Sequence, residues 1–233
     1  MISQSDSQNE IKKEITAMYG LIREQWTNCK VAFLSNDLNA SSKIIEDEKK
    51  INSLEIKIDQ SCERLIALHT PVAIDLRFVL SMLKINTYLE RVGDNIEGIA
   101  HSVIAVNKGM SEEVSAFFQL HKLLSAMDDM FDKVELALVN EDTEIAREVK
   151  DLDLIINSID KENRSLAQDF VQNHPAELQF LLHILSVTRK IERLGDLLKN
   201  VGEEIVFYKE ALVLKHKGNK AKKKEIKEVL RDE

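Results

Sequence analysis

Apolar residues recur at alternating steps of three and four along nearly the whole chain, the spacing that aligns one face of a helix on a core. Six helices follow from it. The first spans about Gln8 to Phe33 and the second about Leu38 to Leu68, where His69, Thr70 and Pro71 break the chain. The third runs from Val72 to about Asn107. After the stretch NKGMSEE, Ser111 is the expected N-cap, with Glu112 and Glu113 favourable in the first turn of a fourth helix reaching about Val139. The fifth spans Asp142 to about Gln172. A second break at Asn173, His174 and Pro175 precedes the sixth, which runs to about Leu214.

The two halves of this pattern superimpose. In the third helix Met82, Ile85, Leu89, Val92, Ile96, Ile99 and Val103 form a strict 3-4 seam. A shift of 102 residues gives Ile184, Val187, Ile191, Leu194, Leu198, Val201 and Ile205 in the sixth. Upstream, INSLE at Ile51 reappears as INSID at Ile156, a shift of 105. An all-α chain of two tandem three-helix bundles is therefore expected, with repeats over residues 1–108 and 109–214 and a tail over 215–233.

The repeat extends to polar positions. Glu-Arg-x-Gly-Asp occurs at Glu90–Asp94 and again at Glu192–Asp196. With the seam at a and d of a heptad, Glu90, Gly93, Asp94, Glu97 and His101 fall on the opposite face, as do Glu192, Gly195, Asp196, Lys199 and Glu203. An amphipathic helix carries such charges in solvent as a matter of course. Two features argue for more. Acids four apart repel each other, and the arginine of each motif lies on a different face. A mid-helix glycine costs about 1 kcal/mol against alanine, so something must approach the backbone there. The second helix adds its own pair, Glu55 and Asp59, with Glu48 two turns earlier. Two neighbouring helices offering carboxylates can surround a hard cation with oxygen. The shift of 105 carries Glu48 to Asp153 and Glu55 to Asp160, whereas Asp59 becomes Arg164. Glycine at 93 and 195 is expected to leave the helix surface bare for the cation and its waters.

Composition narrows the classes. With a formal net charge of −8, the chain has no global basic character and is not expected to bind nucleic acid. Its two cysteines, Cys29 and Cys62, form no CxxC pair and read as small buried apolar residues in a reducing compartment. No apolar run approaches the roughly 18 residues of a membrane span, and the N-terminus has no signal-peptide pattern, so a cytoplasmic location is expected. There is no phosphate-cradling glycine loop and no nucleophile motif, and the chain is read as non-catalytic.

Three segments together resemble the PhoU family of phosphate-signalling regulators: EDEKKINSLEIKID at Glu46–Asp59, PVAIDLRFVLSMLKINTYLERVGDN at Pro71–Asn95, and the degraded copy HPAELQFLLHILSVTRKIERLGDLLKN. The resemblance covers roughly Glu10 to Tyr208. It implies two tandem three-helix bundles that carry metal clusters, often iron, on acid motifs at the bundle surface. The ligands it implies are Glu55, Asp59, Glu90 and Asp94 in the first repeat and Glu192 and Asp196 in the second, to which the repeat positions add Asp153 and Asp160. Manganese, magnesium and zinc are the alternative metals. The family often carries Asn four residues after the motif aspartate. Asn200 fits, but Gly98 stands at that place in the first repeat, so the two sites are expected to differ in metal content. The implied function is negative regulation of phosphate uptake, exercised on a phosphate-importing ABC transporter and its ATPase and on a sensor histidine kinase. A homodimer is the expected assembly.

Other readings compete. A di-iron carboxylate enzyme would need Glu-x-x-His motifs pointing into one four-helix core, and no histidine has Glu three residues before it. A helical structural adaptor, or a relative paired with a phosphate carrier instead of an ABC importer, shares the same seams. His101 reads as a solvated histidine. Seven lysines between Lys215 and Lys227 read first as a frayed helix end, and second as a contact with anionic lipid.

Overall fold

The structure is a computed structural model that describes residues 3–214 of the chain. The lysine-rich tail and its lipid reading lie outside the described residues. Three long helices open the fold, α1 (Gln4–Ser35), α2 (Leu38–His69) and α3 (Ala73–Val106). A short α4 (Glu112–Phe117) leads into α5 (Leu120–Asn140), α6 (Thr143–Asn173), a 3-10 turn at Pro175–Glu177, and α7 (Leu178–Glu210). No strand occurs among the described residues.

Local chemistry starts and stops these helices. Asp37 caps α2 by accepting from the amides of Asn39 and Ala40, and Asp142 caps α6 by accepting from Glu144 and Ile145. The two caps stand 105 residues apart, so the repeat reaches the helix ends. Ser111 caps α4 as expected, accepting from the Val114 amide. Asn36 and Asn107 close α1 and α3 in the left-handed conformation, and the Asn36 carboxamide donates to that of Asn107 at 2.9 Å.

One expected helix is two. The stretch from Ser111 to about Val139 breaks at Phe118–Gln119, where Gln119 adopts a left-handed φ of 50°. No glycine or proline marks the place. The break turns Phe118 fully inward, with its ring 5.2 Å from that of Phe170 and 5.0 Å from that of Phe117. Burial of Phe118 against Phe170 overrides the local helical preference.

Helices α1–α3 form one bundle and α5–α7 a second, the tandem arrangement expected from the repeat. Every seam residue of α3 and α7 is buried. The bundles also pack on each other, chiefly through α3 and α7. These helices run antiparallel, since Ser81 bonds Glu204 at one end while Ser102 bonds His183 at the other. A second contact joins α1 to α5, where Asp128 accepts from Trp26 at 2.8 Å, Arg23 at 2.9 Å and Lys30 at 2.6 Å. The hydrophobic core is accordingly one continuous cluster. Cys29 and Cys62 are buried free thiols within it.

Candidate metal centre

The first acid cluster is made by α2 and α3. Glu48, at 4% exposure, sends its carboxylate toward Gly93, and a Cβ built on that glycine would lie 3.1 Å from both its oxygens. From α1, the Gln25 carboxamide donates to Glu48 Oε2 at 2.9 Å, while Oε1 is buried without a hydrogen-bond partner. Two turns and three turns along α2 from Glu48 stand Glu55 and Asp59. The buried Asn86 carboxamide of α3 donates to the Glu55 carbonyl oxygen and to Asp59 Oδ1, both at 2.9 Å. Glu90 is half-buried, and Asp94 and His101 are exposed.

The electrostatics of this cluster are those of a site short of positive charge. Burial first, then the negative charges of Asp94 and Glu97, push the Glu48 carboxyl from 4.5 up to about 7. Burial, with Asp94, Glu55 and Glu48 as neighbours, does the same to Glu90, again to about 7. Burial, Asp59 and Asp94 raise Glu55. Two lysines of α2 are engaged elsewhere, Lys50 with Asp47 and Lys57 with Glu14. Among the described residues no ion pair reaches Glu48, Glu55, Asp59, Glu90 or Asp94.

The second cluster sits between α6 and α7 and is built differently. Lys199 donates to Asp153 at 2.8 Å and to Asp196 at 2.5 Å. Arg164 binds Asp160, and Arg189 lies 3.5 Å from Asp160 and 3.0 Å from Glu192. Burial outweighs the attraction of Lys199 and leaves the Asp153 carboxyl raised, and burial likewise raises Glu192. Burial also works against the Lys199 ammonium, but Asp153 and Asp196 outweigh it and hold the charge above its ordinary value. One oxygen of Asp153 and one of Asp160 have no hydrogen-bond partner.

These placements correct the expectation that all the acids face outward. Asp153, Asp160 and Glu192 are 3%, 1% and 7% exposed, and Gly93 and Gly195 are buried. The face opposite the seam is not free, because α2 lies across α3 and α6 across α7. Gly93 makes room for the Glu48 carboxylate of the neighbouring helix, and not for a cation and waters as expected. Glu48 is the residue that the implied ligand set left out, although its repeat partner Asp153 was in it. The buried i,i+7 placement before Glu55 was the available signal.

Oxygen donors alone form the first cluster, with one buried carboxylate oxygen unpartnered and two glutamates held toward neutrality by burial and by their neighbours. That donor set suits a hard cation such as iron, manganese, magnesium or calcium. Among the described residues no three His, Cys, Asp or Glu side chains already stand in a geometry that could hold a metal ion. Binding would draw these acids together against a repulsion that the cation itself removes.

Comparison with known proteins bears on the whole chain. The family model described as PhoU domain matches residues 15–103 and 120–205, once in each bundle. A phosphate-specific transport system accessory protein PhoU of Edwardsiella tarda is 28% identical over 212 residues, covering 89% of this chain and 85% of that protein. Its homolog from Borreliella burgdorferi is 32% identical over 182 residues, covering 76% of this chain and 81% of that one. The crystal structure of PhoU from Pseudomonas aeruginosa has the same fold, with a TM-score of 0.85 at 24% identity over 90% of this chain and all of that one. The phosphate transport system regulatory protein PhoU from Streptococcus pneumoniae matches at a TM-score of 0.74 and 25% identity, over 91% of this chain and 99% of that one.

Proposed function

The chain belongs to the PhoU family, and from that premise we propose that it is a metal-binding, non-catalytic negative regulator of phosphate uptake and phosphate-starvation signalling. It acts in the cytoplasm through protein contacts with a phosphate ABC transporter, at its ATPase, and with a sensor histidine kinase, as a homodimer. The observation that carries the regulatory role is the match of both bundles to the PhoU domain, together with relatives that are accessory proteins of phosphate-specific transport. A location beside a membrane transporter fits a chain in which no helix among the described residues is long and apolar enough to cross the membrane.

The metal belongs to the first repeat. Glu48, Glu55, Asp59, Glu90 and Asp94 would hold it, and it would supply the positive charge that their surroundings lack. Gln25 and Asn86 orient two of these carboxylates, so the α1, α2 and α3 ends of the site are fixed relative to one another. Iron is the first candidate, with manganese, magnesium and zinc as alternatives; the absence of thiolate ligands speaks against a structural zinc site.

Deleting the gene tests the regulatory role. Phosphate-starvation genes are expected to stay on when phosphate is plentiful. Normal repression in the deletion strain would contradict the reading and leave a helical adaptor in its place.

A further inference from the structure

We infer that the second repeat holds no metal, because Lys199, with Arg164 and Arg189, supplies within the chain the positive charge that the first repeat must take from outside. The inference rests on the metal reading of the first repeat and concerns its degenerate copy.

The substitution can be followed position by position. A shift of 102 carries Glu90 to Glu192 and Asp94 to Asp196, and a shift of 105 carries Glu48 to Asp153 and Glu55 to Asp160. These four acids survive. Three positions beside them change toward positive charge: Glu97 becomes Lys199, Asp59 becomes Arg164, and Thr87 becomes Arg189. The first repeat sets six carboxylates, Glu97 included, in one cluster with no Lys or Arg partner among the described residues. The second sets four carboxylates against three cations, which leaves a single net negative charge.

The geometry places these cations where a metal would act. Lys199 Nζ bridges Asp153 of α6 and Asp196 of α7, at 2.8 and 2.5 Å. Their first-repeat equivalents are Glu48 and Asp94, on the two helices that a metal would join. Arg189 bridges Asp160 and Glu192 in the same way, the equivalents of Glu55 and Glu90, and Arg164 closes on Asp160 from its own helix. The shorter acid of the second repeat stands further from its glycine. A Cβ on Gly195 would stand 3.6 Å from Asp153 Oδ1, where the longer Glu48 comes within 3.1 Å of Gly93. A metal entering here would meet an ammonium already held between the carboxylates, and would have to break a half-buried ion pair to bind. The second repeat is thus a permanently charged, metal-independent version of the first, and only one half of the molecule responds to metal supply.

The test is the metal content of the full chain, purified without a tag, stripped with chelator, reloaded with iron(II) or manganese(II), dialysed and measured by elemental analysis. Wild type and Asp196→Asn are expected to hold the same amount, and Asp94→Asn to lose it. The double variant Lys199→Glu, Arg164→Asp restores the acids of the first repeat and is expected to take up a further increment, roughly doubling the content. Loss of metal in Asp196→Asn would overturn the inference. So would the absence of any gain in a double variant whose circular dichroism matches wild type. If the double variant does not fold, Asp196→Asn decides alone, since that side chain is half exposed. A wild type without metal would refute the metal reading of the first repeat, and uptake by the double variant alone would still support the inference.

Discussion

A side chain at Gly93 would be tight, because a Cβ would lie 3.1 Å from both oxygens of Glu48, whereas at Gly195 the nearest approach to Asp153 is an ordinary 3.6 Å. The two glycines of the repeated motif therefore part company on substitution. Gly195→Ala should gain most of the roughly 1 kcal/mol by which alanine exceeds glycine in a helix. That corresponds to a melting temperature higher by about 2–4 °C for a chain of this length. Gly93→Ala should gain less and should weaken metal binding by displacing Glu48; equal effects of the two changes on melting would contradict the contact geometry. Protons report the same cluster. Glu48 and Glu90 stand near 7 in the folded protein against a usual 4.5, so between those values the native state binds more protons than the unfolded one. The contribution of these two groups to the stability of chelated protein should then fall as pH rises from about 4.5 to 7 and level off above. Buried His183, whose imidazole burial holds below its ordinary value, contributes in the opposite direction. Gln25, Glu55, Asp94 and Glu97 surround these two groups, and the lowered carboxyls of Asp128 and Glu141 act only at lower pH. Glu48→Gln with Glu90→Gln should flatten the melting-temperature profile across that window, and an unchanged slope would remove these two groups as its source.

Among the elements, the seams of α3 and α7 could be read directly from spacing, because burial of a 3-4 stripe follows from helix geometry whatever the partner. The face that α2 and α6 cover could not. A heptad frame describes one contact seam, but α3 touches α1, α2 and α7, and the buried positions Gly93, Ala100 and Ser81 lie outside the seam. That is why Glu192, on the face opposite the seam, is buried instead of solvated. The split between α4 and α5 was equally hidden, since Gln119 is no turn signal and the cause is the distant ring of Phe170. Its energetics can be measured. Phe118→Ala should destabilise the fold by about 3–5 kcal/mol, the usual effect of emptying a buried aromatic site. Gln119→Gly, which relieves a left-handed conformation, should stabilise it by about 1 kcal/mol. Denaturant titration gives both values, and a Phe118→Ala change under 1 kcal/mol would mean that the ring is not the anchor of the break.

At the level of the whole molecule, the tandem repeat builds two bundles with one core, joined along α3 and α7 and again through Asp128. Calorimetry should therefore show a single cooperative transition, whereas two resolved peaks would make the bundles independent. The asymmetry between the repeats is superimposed on this shared core: among the described residues one acid cluster has no Lys or Arg ion pair, and the other is closed by Lys199. The measurement that bears most directly on this is the melting temperature of chelated wild-type protein with and without iron(II) or manganese(II), run beside Asp94→Asn. At a free metal concentration a hundredfold above Kd, binding to the native state alone adds about 2.7 kcal/mol. For a chain of this size that is a rise of roughly 5–10 °C. The rise is expected in wild type and should be largely absent in Asp94→Asn, whose fold stays intact because the residue is exposed. A melting temperature that metal leaves unmoved in wild type, or that moves equally in both proteins, would contradict the first-repeat metal site.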